Sequence, residues 1–105
     1  MNNNILTDEQ VDRALASTDG WRRLGGRLVR VMSFRDFDEA LRFFQRVADA
    51  AQDYGRRPDM AISHTNSVRL EIENLHHAGF TPAEIRLASK VDAVVQEQHP
   101  THISH

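Results

Sequence analysis

The 105-residue chain predicts an α+β domain: a four-stranded antiparallel sheet with helices packed on one face, in the order α-β-β-α-β-β-α. Three observations predict it. Val68, Leu70 and Ile72 alternate strictly with Arg69, Glu71 and Glu73, which is the pattern of a strand with one buried and one wet face. Apolar residues recur at three- and four-residue steps from Phe37 to Ala51, as on one side of a helix. Gly25-Gly26 and Thr65-Asn66 each separate two short β-type segments, as hairpin turns do.

The elements follow in order. Thr7-Asp8-Glu9-Gln10 reads as a helix start, with Thr7 as cap, Gln10 reaching back and Leu6 stapled onto Val11. Val11, Ala14 and Leu15 give this helix a short stripe, which stops before Asp19-Gly20. A strand from Trp21 to Leu24 turns at Gly25-Gly26 into a return strand from Arg27 to Phe34. Leu28, Met32 and Phe34 lie on one face of that strand and Val29 and Val31 on the other, which predicts a partner subunit against the second face.

Asp36 and Glu39 have capping-box spacing ahead of Phe37, Ala40, Leu41, Phe44, Val47, Ala48 and Ala51. This spacing predicts a helix of about 17 residues whose stripe, Phe37 and Phe44 included, packs the core. Gly55 is placed to end it, and Pro58 turns the chain into extended geometry. Strands from Asp59 to His64 and from Ser67 to Asn74 follow. Thr81-Pro82-Ala83-Glu84 then combines a cap, proline at the first helical position and glutamate at the third. Leu87, Ala88, Val91, Val94 and Val95 form that helix's apolar face. Residues 1–105 therefore read as one domain, with 1–5 and 97–105 as flexible ends.

Composition removes several classes of function. The chain has no cysteine, so disulfides, thiolate metal sites and cysteine nucleophiles are excluded. The start, Met1-Asn2-Asn3-Asn4-Ile5-Leu6, lacks the regions of a signal peptide, and no apolar run approaches the roughly 20 residues of a membrane span. A cytoplasmic protein with no membrane association is the expectation. The net charge of −2 and the even spread of Lys and Arg give no basic stripe, and nucleic acid is not an expected partner. No metal site is expected either. His76 and His77 are adjacent in a loop without a carboxylate spaced to complete a zinc set, and His99, His102 and His105 fall in the tail.

Taken together, these residues resemble the pterin-4a-carbinolamine dehydratase family, also called 4a-hydroxytetrahydrobiopterin dehydratases. The resemblance runs from about Leu6 to Val95. It is carried by Leu6-Thr7-Asp8-Glu9-Gln10-Val11, Gly20-Trp21, Phe34-Arg35-Asp36-Phe37, Phe44 to Ala48 and Pro58-Asp59. Gly79-Phe80-Thr81 to Ile85 and Lys90-Val91-Asp92-Ala93 complete it. It implies the α+β fold reached above, assembled as a homodimer or homotetramer, with a pterin as substrate or ligand and no cofactor. Family members remove water from a 4a-carbinolamine, which requires a proton donor and acceptor with pKa values near neutrality, a role suited to histidine.

The family places a His-His-Pro motif after the long helix; here the residues are Arg56-Arg57-Pro58. Arginine stays protonated, so it cannot act as the base. The family's third histidine falls on Leu75 or, with a slightly different gap, on His76. Glu84 takes the acidic position near the start of the last helix. The candidate catalytic residues are therefore His76, His77 and Glu84, and the candidate ligand-binding residues are Arg56, Arg57, Pro58 and Asp59. For Arg56 and Arg57 the simpler role is two solvated cations at a helix C-terminus, and for His76 and His77 a surface loop pair. For Glu84 it is partnership with the Thr81 cap. Three functions fit: a hydro-lyase with a rearranged proton shuttle, a dehydratase-like protein that binds a pterin or another flat heterocycle, and a homo-oligomeric protein-binding module like a Rubisco assembly factor. Weak or absent dehydratase activity is expected.

Overall fold

In the computed structural model, residues 5–18, 20–54, 58–74, 79–98 and 102–103 are described. Helix α1 (Asp8–Ala16) precedes strands β1 (Arg22–Leu24) and β2 (Arg27–Ser33), and α2 (Phe37–Ala51) runs into a 3₁₀ turn at Gln52–Tyr54. Strands β3 (Asp59–Ser63) and β4 (Ser67–Glu73), helix α3 (Pro82–Gln98) and a two-residue strand β5 (His102–Ile103) follow. The predicted α+β order is the observed one. The sheet is antiparallel in the order β1-β2-β4-β3, so β1 and β3 are edges and β2 pairs with β4 along its whole length.

Local chemistry explains the helix starts. Thr7 accepts from the Gln10 N–H at 3.0 Å, and the Gln10 side chain accepts from the Thr7 N–H at 2.9 Å, a complete capping box. Asp36 accepts from the Glu39 N–H at 2.9 Å. The Glu39 carboxylate reaches one residue further back than expected, to the Arg35 N–H at 2.8 Å. At α3 the Glu84 carboxylate accepts from both the N–H and the hydroxyl of Thr81, at 2.6 and 2.8 Å.

The core lies between the helices and one sheet face. Leu28, Met32, Val68, Leu70 and Ile72 are buried there, with Phe34, Phe43, Val47, Leu87 and Val91 above or beside them. Phe34 and Phe43 rings meet at 4.9 Å between centroids.

Several expectations are corrected. The buried line of α2 is Ala40, Phe43, Val47 and Ala51. Phe37 is 47% exposed and Phe44 only half-buried, so neither fills the core; Ala40, Val47 and Ala51 lie on the expected stripe, and Phe43 takes the core place given to the two other phenylalanines. The β3–β4 turn is His64-Thr65-Asn66, one residue longer than expected, with φ of 54° at His64 and 66° at Thr65. Helix α3 continues through residues 97 and 98, which the sequence assigns to a flexible end. β5 adds a fifth strand by pairing with Met32 and Ser33 of β2, beyond the point where short β1 stops.

The uncovered sheet face is a row of ion pairs. Arg27 bonds Glu71 and lies 3.8 Å from Glu73, while Arg69 holds the other Glu71 oxygen at 2.6 Å. Val29 is nonetheless 5% exposed on this face, with Arg22 and Glu71 opposite it in register and Arg69 and Glu73 diagonal to it. Long side chains that shield an apolar neighbour with their stems explain this burial within one chain. A partner subunit is not needed to cover Val29.

Candidate functional site

The corner that links α2 to β3 is built by local rules. The long helix tightens into a 3₁₀ turn at Gln52–Tyr54, and the chain re-enters the described structure at Pro58, which is buried. β3 begins at once and lies at the sheet edge. Between this strand start and α2 lies an open cleft of about 430 Å³ lined by Phe44, Pro58, Asp59 and Met60. Its size falls in the range of small-molecule sites. Phe44 and Met60 supply apolar walls, and Asp59 is exposed at the rim. Asp59 also borders a shallower hollow on the open face with Arg27, Arg69 and Glu71.

Charges around the cleft are unevenly committed. Glu71 is held below the ordinary carboxyl range, first by the hydrogen bond from Arg69 and then by that from Arg27. Asp59 is near enough to add to the field on Arg27 but forms no ion pair with it. Arg27 and Arg69 are thus engaged by the two glutamates, and Asp59 makes no ion pair with either of them.

Of the predicted site residues, Pro58 and Asp59 come together in this cleft. Glu84 is 1% exposed and is engaged in the Thr81 cap, where it satisfies donors at the start of α3. Arg56, Arg57, His76 and His77, together with Leu75, lie outside the described residues. Among the described residues no group of three or more His, Asp or Glu side chains could hold a metal ion, and no helix is long and apolar enough to cross a membrane.

Sequence reasoning missed a buried polar junction on the opposite side of the sheet. Arg30 is 2% exposed and donates to Asp92 Oδ1, which also accepts from Trp21 Nε1 at 3.0 Å. Arg30 Nη2 is buried without a partner. The sequence carried a signal: Arg30 shares the alternation of Leu28, Met32 and Phe34, which puts a cation on the core face.

The helix-covered antiparallel sheet with its corner cleft defines a class, and the comparisons identify it. The family model described as pterin 4 alpha carbinolamine dehydratase matches residues 4–94, and the chain belongs to that family. A protein of Koribacter versatilis, provisionally named pterin-4-alpha-carbinolamine dehydratase, is 35% identical over 89 residues, covering 85% of this chain and 94% of its own. One from Mycobacterium bovis with the same provisional name is 36% identical over 90 residues, covering 86% and 95%. Among solved structures, a transcriptional coactivator/pterin dehydratase from Brucella melitensis superposes with a TM-score of 0.77 at 27% identity, covering 87% of this chain and 98% of that one. A pterin dehydratase-like protein identified as a RuBisCO assembly factor in the alpha-carboxysome shares the fold, with a TM-score of 0.60 at 23% identity over 72% of this chain and 89% of that one.

Proposed function

We propose that this protein keeps the family's heterocycle-binding corner and has weak or no 4a-carbinolamine dehydratase activity. One observation carries the reading: the two residues that precede Pro58 in the sequence are Arg56 and Arg57, where the family has two histidines, and Pro58 itself lines the cleft. Dehydration needs one group to give a proton to the departing hydroxyl and another to take one from the ring. A guanidinium cannot exchange protons near neutral pH. It can hold an electron-rich ring edge through its forked donors, so the role assigned to Arg56 and Arg57 is to hold a ligand. His76 or His77 would be the proton carrier in any residual turnover of this cytoplasmic hydro-lyase. Glu84 would assist only by giving up part of its Thr81 cap.

An assay with a 4a-hydroxytetrahydropterin tests this directly. Turnover is expected at least about 100-fold below that of a relative with the His-His-Pro motif, the typical effect of losing one positioned acid or base. Turnover equal to such a relative would overturn the proposal. Pterin binding measured by calorimetry should persist in the wild type and weaken in Arg56→Ala and Arg57→Ala.

A second reading, a non-catalytic homo-oligomeric protein-binding module, is favoured by α2. Phe37, Leu41, Phe44 and Ala48 form a partly exposed apolar line beside the buried one. The fold shared with the RuBisCO assembly factor makes such a role compatible with the scaffold. Absence of any pterin binding, with a homodimer or homotetramer by sedimentation, would put this reading first.

A further inference from the structure

We infer that the stretch of β2 left open by β1 is an interaction edge for a second copy of this chain, and that β5 is a built-in strap that holds it closed. The inference concerns the side of the sheet opposite the cleft and is independent of what the corner binds.

Three observations support it. First, the edge is incomplete. β4 pairs with β2 from Arg27 to Ser33, but β1 on the other side pairs only with Arg27, Leu28 and Val29. Arg30 to Ser33, about 13 Å of strand, would otherwise present free N–H and C=O groups, a template for strand addition. Second, β5 takes that place with a very short strand. His102 and Ile103 pair with Ser33 and Met32, and among the described residues no strand pairs with Arg30 or Val31 on that side. This pairing lies past residues 4–94, which the family model matches, so it is an addition to the shared scaffold. Third, its position is prepared. Only Phe34, Arg35 and Asp36 separate β2 from α2. Gln98, the last residue of α3, donates through Nε2 to the Glu39 carbonyl in the first turn of α2 at 2.8 Å. α3 therefore ends beside the end of β2, and the chain from Gln98 to His102 spans at most about 14 Å. Such a short tether keeps β5 at an effective concentration on the order of millimolar against β2, which excludes a second copy at lower protein concentrations.

The second copy would meet this edge with its own β3, whose outer side is unpaired along Asp59–Ser63 among the described residues. Joining β2 of one copy to β3 of the next is a head-to-tail contact, which adds copies without closing. The strap blocks that growth of the sheet.

The test compares the full chain with a chain ending at Gln98 by sedimentation across protein concentrations, with circular dichroism to establish folding. The full chain should keep one mass as concentration rises. The shortened chain should grow without a fixed stoichiometry, its weight-average mass rising at least about twofold. His102→Pro combined with Ile103→Pro in the full chain removes both strap N–H groups and should behave like the shortened chain, even where truncation itself impairs folding. Ala61→Lys, which sets a charge on the outer strand β3, should abolish growth in either background. Equal dependence of mass on concentration in the full chain and the double proline variant overturns the strap. A rise that stops at a closed dimer overturns the head-to-tail contact, and growth that survives Ala61→Lys overturns β3 as the partner edge.

Discussion

The two faces of the sheet carry pairs of the same chemical type in opposite surroundings. Under the helices, Arg30 is buried and held by Asp92 with Trp21 on the same oxygen. On the open face, Arg27 and Arg69 share Glu71 in contact with solvent. A surface pair that separates is rehydrated, so its contact adds little. A buried guanidinium that loses its carboxylate has only the low-dielectric interior around it. The difference is one of solvent access, with the contact chemistry held constant.

The largest effect should come from breaking the covered pair. Asp92→Ala is expected to lower unfolding free energy by about 3 kcal/mol in urea titration, because it strands the Arg30 charge and the Trp21 N–H. A loss below about 1 kcal/mol would show that water reaches Arg30 and would erase the contrast. Glu71→Gln on the open face should cost less than about 1 kcal/mol at low salt and close to nothing near 1 M salt. A larger, salt-independent loss would mean that this network behaves as a buried one.

The smallest effect concerns acid. Glu71, Asp12 and Asp36 all have carboxyls held below their ordinary values: Glu71 by Arg69 and Arg27, Asp12 mainly by its hydrogen bond with Arg23, and Asp36 by the Glu39 N–H. Groups with depressed folded values stabilise the fold above the unfolded pKa. That contribution disappears as pH falls from about 4 through the folded values. Thermal midpoints should therefore be insensitive to these groups near neutrality and fall below about pH 4, with a slightly shallower fall in Glu71→Gln.

Much of the architecture was legible because it rests on local chemistry. Thr7 and Asp36 cap helices through bonds spanning three residues and Thr81 through one spanning two, and the alternation of β4 is visible without its neighbours. What escaped depends on distant partners. Phe43 and Phe44 are indistinguishable by type, and only packing against Phe34 decides which one is core. The burial of Arg30 depends on Asp92, which lies 62 residues away. β5 could not be foreseen from the tail, since its place is the vacancy left where β1 ends. In the cleft, Phe44 and Met60 join the candidate residues Pro58 and Asp59 only because α2 lies across the start of β3.

The single tryptophan of the chain has a practical consequence. Trp21 precedes the edge strand β1, while the cleft opens at the start of the opposite edge strand β3, about 14 Å away across three strand spacings. Its indole is shielded and tethered to α3 through Asp92. Emission from this one fluorophore therefore reports whether α3 is seated on the hairpin, so unfolding of that junction can be followed by light without any added label.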